Sequence, residues 1–313
     1  MLVWILFLVL IIIFLALDLG VFNKEDHVIK TKEAGIWTAV WITVAFVFSG
    51  VIYWLFSSGI IENPTGLNPE DAVLKYITGY LIELSLSIDN VFVIAVIFSS
   101  FKIPAIYQHR VLFWGILGAI IFRALMILFG VALITRFEWI IYIFGVFLLY
   151  TAFNMLKGED DNFDPQKSFV FRQLQKVYPI SSQIKGHDFF ITENGKKVAT
   201  PLFVALIVIE LTDILFALDS IPAILAITAD PFIVFSSNIL AILGLRSMYF
   251  LISRMLQKFR YINYSLVVIL AFVGLKMLFS HYLHLPEWVS LTVISVSLLG
   301  GVLASVFIPE KEA

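Results

Sequence analysis

Nine apolar runs divide the chain, at about 1–22, 35–57, 76–98, 110–133, 138–156, 201–227, 233–253, 262–280 and 288–308. Each is close to the length of about 20 residues that a helix needs to cross the hydrocarbon of a bilayer, with tilt absorbing the longer ones. Lipid offers no partner to a bare backbone group, so spans of this kind close their hydrogen bonds internally, as helices. The pattern predicts an all-α membrane protein of nine transmembrane helices. Two lie in 1–57 and three in 71–156; a polar connection follows at 157–199, then three helices in 200–281 and a last one at 288–308. Residues 1–17 have no basic segment ahead of them and no small-residue cleavage site after Asp18, so they read as a retained first span.

The connections carry a strong charge asymmetry. One set holds sixteen Lys and Arg residues: Lys24, Lys30 and Lys32, then Lys102 and Arg110, seven within 157–199, Arg254, Lys258 and Arg260, and Lys311. The alternate connections hold only Lys75 and Arg136. By the positive-inside rule the N-terminus is outside and the C-terminus cytoplasmic. The long connection 157–199 is then cytoplasmic and is a candidate surface for a partner protein. Its start, GEDDNFDP, reads as a loop. Gln166 to Val177 reads as a short amphipathic helix, and HDFFITENGKKVAT as a hairpin turning at Asn194-Gly195.

Two of the spans are interrupted by acids. IELSLSIDNV carries Glu83, Asp89 and Asn90, and ELTDILFALDSIP carries Glu210, Asp213, Asp219 and Ser220. In both, an acid precedes an aspartate by six positions and a small polar residue follows. The likeness continues, with Arg123 and Arg246 in the next spans and Asn154 and Lys276 in those after. The intervals are 34 and 31 residues in one half and 27 and 30 in the other. Two copies of a three-span unit, each with an odd number of crossings, would lie inverted to one another, as in many transporters. At about 100° per residue, Glu83 and Asn90 share a helix face, as do Asp213 and Ser220, while Asp89 and Asp219 lie well around from them. Pro222 is a candidate helix break that would let Asp219 join the others.

An ionised carboxylate at membrane depth costs at least about 2.5 kcal/mol, so such a residue pairs, faces a water path or binds a cation. The intramembrane acids are Asp18, Glu83, Asp89, Glu210, Asp213 and Asp219, and the bases are Arg123, Arg246 and Lys276. Charge pairing accounts for three acids and leaves three for protons or a bound cation. Asp18, at the end of its span, is a peripheral candidate, and Glu210 is equally a partner for arginine. Carboxylate, amide and carbonyl oxygens suit Mn²⁺, Mg²⁺ or Ca²⁺. His281 and His284 read as an interfacial pair. Composition agrees with the patterning: 60% of residues are hydrophobic, 14% are charged, and the mean hydropathy is +0.97. A net charge of −2 gives no reason to expect nucleic acid, and the absence of cysteine removes thiolate and disulfide chemistry. No metalloprotease motif or glycine-rich phosphate loop occurs, so no enzymatic activity is expected.

The stretches ALDLGVF (16–22), ELSLSIDNVFV (83–93), TPLFVALIVIELTDILFALDSIPAILAIT (200–228) and SNILAILGLRSMYFL (237–251) resemble the TerC family of bacterial integral membrane proteins, over nearly the whole chain. The family is associated by name with tellurium resistance and by function with manganese export, and is grouped with LysE-type transporters built from inverted three-helix repeats. The resemblance implies a multi-pass protein of the bacterial cytoplasmic membrane that exports Mn²⁺, with the lipid bilayer and a divalent cation as its partners and no tightly bound cofactor. It carries the acidic motif positions over as candidate ligands. The alternative is a membrane scaffold for stress or secretion partners, acting through 157–199.

Overall fold

The computed structural model describes residues 2–20, 29–137, 139–157, 179–181, 184, 186–193, 195–253, 261–279 and 286–307. Among them are nine helices and one two-stranded hairpin. In chain order the elements are α1 (Leu2–Gly20), α2 (Thr31–Ser57), α3 (Pro69–Ser100), α4 (Ala105–Arg136) and α5 (Ile140–Lys157), then β1 (Phe190–Glu193) and β2 (Lys196–Ala199). They continue with α6 (Pro201–Leu225), α7 (Pro231–Ile252), α8 (Ile262–Leu278) and α9 (Glu287–Phe307). Seven of the helices, α2 to α7 and α9, are long and apolar enough to cross a membrane. The expectation of nine spans thus meets seven helices of that kind and two shorter apolar stretches, Leu2–Leu17 of α1 and Tyr264–Leu278 of α8. The segment expected to form a helix at Gln166–Val177 lies outside the described residues.

Local chemistry sets the helix ends. At α3, Asn68 accepts a bond from the Asp71 amide at 2.7 Å, Pro69 opens the first turn, and Glu70 and Asp71 complement the positive end of the helix dipole. At α7, Asp230 accepts from the amides of Phe232 (3.0 Å) and Ile233 (3.1 Å), again ahead of a proline. The turn from α3 to α4 needs a left-handed residue, and Lys102 supplies it with φ 51°. Its amide bonds to the Ser99 carbonyl and that of Ile103 to the Phe98 carbonyl, which closes the end of α3. The hairpin forms where Asn194-Gly195 predicts it. Glu193 pairs with Lys196, and Gly195 takes the positive φ (76°) that a two-residue turn demands.

α7 is the centre of the bundle. It is buried along nearly its full length and packs on α2, α3 and α4. Trp4 and Phe7 of α1 close its Phe232 end through ring contacts at 5.2–5.8 Å with Phe232 and Phe235. Around it, α3 packs on α7 while α4 packs on α6, and α5 packs on α8. The outer faces carry large apolar side chains such as Val47, Phe129, Val296 and Phe307, more than 60% exposed. An apolar surface this continuous would drive association in water, whereas hydrocarbon covers it at no cost. At one end of the bundle the hairpin sits on α6. The Phe190 and Phe203 rings pack at a tilt with centroids 4.5 Å apart, Thr200 donates to the carbonyls of Asp188 (2.8 Å) and Phe189 (3.1 Å), and the Arg110 guanidinium lies over the Phe189 ring.

The α5–α8 contact depends on two glycines facing each other. A Cβ added at Gly145 would lie 3.0 Å from the Gly274 carbonyl oxygen, and one at Gly274 would lie 2.9 Å from that of Gly145. Backbone meets backbone here, so no side chain can yield. Gly274→Val should therefore lower stability by about 1–3 kcal/mol, the usual cost of overpacking. Gly50→Ala, which meets nothing within 4 Å, should leave stability unchanged or raise it. Thermal unfolding of both variants in detergent checks this, and equal melting of Gly274→Val and the parent would contradict it.

Candidate cation site

The site is built around Arg123, in the middle of α4 and fully buried. Its Nε and Nη2 donate to the two carboxylate oxygens of Asp213 on α6, at 3.1 and 2.8 Å, the forked geometry that guanidinium and carboxylate share. Nη1 donates to Glu83 Oε1 on α3 and more distantly to Asn238 Oδ1 on α7 (3.3 Å) and Ser220 Oγ on α6 (3.5 Å). Asn238 completes the ring, its Nδ2 donating to Glu83 Oε2 at 2.8 Å. Four helices are thus joined by one guanidinium. With both carboxylates counted as ionised, the formal charge of Arg123, Glu83 and Asp213 together is −1.

Next to it lies a cavity of about 20 Å³. A water needs at least about 10–15 Å³ on the same measure, so this is room for one water or one bare ion. Its wall is drawn from α3 (Asn90, Ile94), α4 (Leu112, Gly115, Ile116, Ala119), α6 (Ile209, Thr212, Asp213, Phe216) and α7 (Leu245). Most of that wall is hydrocarbon, and its oxygens come from Asn90, Thr212 and Asp213. Asn90 is 4% exposed; its Nδ2 reaches Asp213 Oδ1 at 3.5 Å, while its Oδ1 is buried with no hydrogen-bond partner. The Thr212 hydroxyl donates to the Val208 carbonyl at 2.7 Å and keeps its lone pairs. A small oxygen-bearing pocket beside surplus negative charge can hold a hard cation.

The expected residues fall into groups. Glu83, Asn90, Asp213 and Ser220 converge, as their shared helix faces require. Asp219 does not join them. Pro222 lies within α6 rather than breaking it, so Asp219 keeps its helical angle and accepts from Thr151 of α5 at 2.9 Å. Glu210 packs against α4 where Gly118 leaves a notch; a Cβ there would lie 2.0 Å from Glu210 Oε1, and Oε2 is buried without a hydrogen-bond partner. Of the bases, Arg123 takes two of the acids. Arg246 lies with Nη1 2.7 Å from His109 Nε2, and Lys276 donates to Ser290 of α9 at 2.9 Å. The side chains of Asp18 and Asp89, and all of His281 and His284, lie outside the described residues. Among those described, no three of His, Asp and Glu come together as a ready-made metal cluster. Sequence reasoning missed Asn238, whose signal was the polar triplet Ser236-Ser237-Asn238 inside an apolar run.

Removing Arg123 would strand two buried carboxylates. Breaking a buried ion pair costs about 3–5 kcal/mol in known cases, so Arg123→Ala should melt well below the parent in detergent. Combining it with Glu83→Gln and Asp213→Asn should recover part of the loss. Unchanged melting of Arg123→Ala would contradict a structural role for the network.

The profile of the integral membrane protein TerC family matches residues 68–313. Curated relatives agree across almost the whole chain. The "Uncharacterized membrane protein STKORF319" of Myxococcus xanthus is 48% identical over 99% of this chain and 93% of its own length. The "Uncharacterized membrane protein" of Rickettsia bellii is 43% identical over 97% and 96%. The "Putative membrane-bound redox modulator Alx" of Escherichia coli K12 is 42% identical over 98% and 93%. No solved structure matches the chain. With a family match over most of its length and relatives this similar, the chain belongs to the TerC family of integral membrane proteins.

Proposed function

We propose that this protein is a transporter that exports a divalent metal cation, with Mn²⁺ as its cargo, across the bacterial cytoplasmic membrane. The observation that carries the reading is Asn90. A buried amide oxygen with no partner is costly, and this one belongs to a residue in the wall of a cavity of ion size, beside a carboxylate in a group of formal charge −1. A cation bound there would satisfy the oxygen and balance the charge together. Asn90, Asp213 and Thr212 supply the hard oxygen donors that Mn²⁺, Mg²⁺ and Ca²⁺ share. Mn²⁺ is singled out by the family resemblance.

The same reading takes the chain as nine crossings with the N-terminus outside, and α3–α5 and α6–α8 as inverted copies in a LysE-type arrangement. The packing favours it: exchanging the two triplets turns the α3–α7 contact into the α6–α4 contact and returns the α5–α8 contact to itself. The cavity then lies between the copies, where transporters of this design hold their cargo. The hairpin end is cytoplasmic. The Escherichia coli relative's name points to redox modulation; this chain has no cysteine, so any thiol–disulfide exchange linked to it would be carried by another protein.

Asn90→Val separates ligation from structure. If the amide is structural, its loss is felt in stability. As a ligand, its removal relieves an unsatisfied group, so melting should hold or rise while Mn²⁺ transport into reconstituted inside-out vesicles falls at least tenfold. Mg²⁺, Ca²⁺ and Zn²⁺ measured alongside identify the cargo. Undiminished transport of every cation by Asn90→Val would refute the site.

A further inference from the structure

Arg110, in the second turn of α4 at the hairpin end, stands in a setting opposite to that of Arg123. No acceptor among the described residues takes a hydrogen from it. Its guanidinium lies over the Phe189 ring, 5.5 Å from the centroid, and its Nε is buried without a hydrogen-bond partner. The residue carrying that ring is itself anchored, because the Phe189 carbonyl accepts from the Thr200 amide (3.0 Å) and hydroxyl (3.1 Å) at the head of α6. A ring face steadies a cation but offers its N–H groups no lone pair. Among the described residues the Arg110 guanidinium thus has a seat and no anion, where Arg123 has two carboxylates.

Its place along and around α4 says what the anion is. At about 100° per residue, Arg110, Trp114, Ile121, Leu125 and Leu128 fall within about 60° of one another. The last four are 45–61% exposed, so Arg110 heads the lipid-facing stripe of α4. The helix has 32 residues, about 48 Å at 1.5 Å each, against about 30 Å of hydrocarbon. With the excess shared, about 9 Å stands out at each end. Arg110 lies about 7–8 Å from the start of α4, at the depth of lipid phosphates, and Trp114 is one turn deeper, where interfacial aromatics lie. We propose that Arg110 on its Phe189 seat, with the stripe below it, binds an anionic phospholipid: the phosphate sits on the guanidinium and an acyl chain runs along Trp114 and Ile121. Planar guanidinium donors match phosphate oxygens. A zwitterionic headgroup brings its own cation and gains less. The seat is independent of any cargo the protein moves.

The test titrates the full chain in detergent with phosphatidylglycerol, reading bound lipid by native mass spectrometry and recording melting beside it. Arg110→Gln should need about fivefold more lipid for the same occupancy, the worth of one basic residue at an anionic surface. Arg110→Lys keeps the charge but loses the planar face on Phe189, so it should fall between, and it carries the comparison if Arg110→Gln folds poorly. Arg136→Gln removes the same charge from the exposed far end of α4 and should bind like the parent. Phosphatidylethanolamine, with the same phosphate and no net charge, should bind the parent more weakly. Inorganic phosphate should not displace the lipid at matched concentration. Equal occupancy in the parent and in an Arg110→Gln that melts like it would overturn the seat. So would an equal loss in Arg136→Gln, which would mean diffuse charge attraction, or displacement by inorganic phosphate, which would mean a site for the free anion.

Discussion

A guanidinium buried in a membrane is tolerable only where anionic partners surround it, and the fold is arranged to provide them for Arg123. Glu83 comes from α3, Asp213 and Ser220 from α6, Asn238 from α7, and Arg123 itself from α4. No pair of these helices can shift without breaking a charged contact in a medium where water does not replace it. Hydrophobic burial cannot provide this specificity between membrane helices, because lipid tails are as apolar as leucine. The polar ring thus fixes which helices meet and in what register, and the close glycine contact of α5 and α8 brings the outer pair together around it.

The same ring has a functional consequence. Two carboxylates on one guanidinium leave a formal charge of −1 in a place that cannot be hydrated in bulk. The neighbouring cavity has room for about one ion, and one of its lining residues, Asn90, has a buried amide oxygen with no hydrogen-bond partner. On the proposed reading, a cation held by only a few oxygens in a mostly hydrocarbon wall suits a transporter better than a storage site. Conduction requires binding strong enough to draw the ion in and weak enough to release it. A cluster of three or more carboxylates would hold a divalent ion far more tightly.

Much of this was legible in the sequence, and the limits have physical causes. Each expected span overlaps an observed helix because membrane helices are set by run length. The hairpin was legible because Asn-Gly specifies its own turn. Helical angle alone brought Glu83 with Asn90 and Asp213 with Ser220. Partner choice between helices was not legible: nothing in the linear chain says that Arg123 takes both acids while Arg246 meets His109, because that depends on the vertical register of α4 against α7. Nor was the fate of Asp219. Pro222 stands three residues before the end of α6, so the bond it removes is lost close to where the helix would stop, and the helix runs on instead of breaking.

The central claim is that Asn90 and Asp213 hold a divalent cation. The most direct measurement is anomalous X-ray scattering at the manganese edge from crystals of the protein grown with Mn²⁺. The account predicts one peak in the cavity, within coordination distance of Asn90 Oδ1 and an Asp213 oxygen, and its absence in Asn90→Val. A manganese peak elsewhere in the membrane region, with that cavity filled by water, would contradict it.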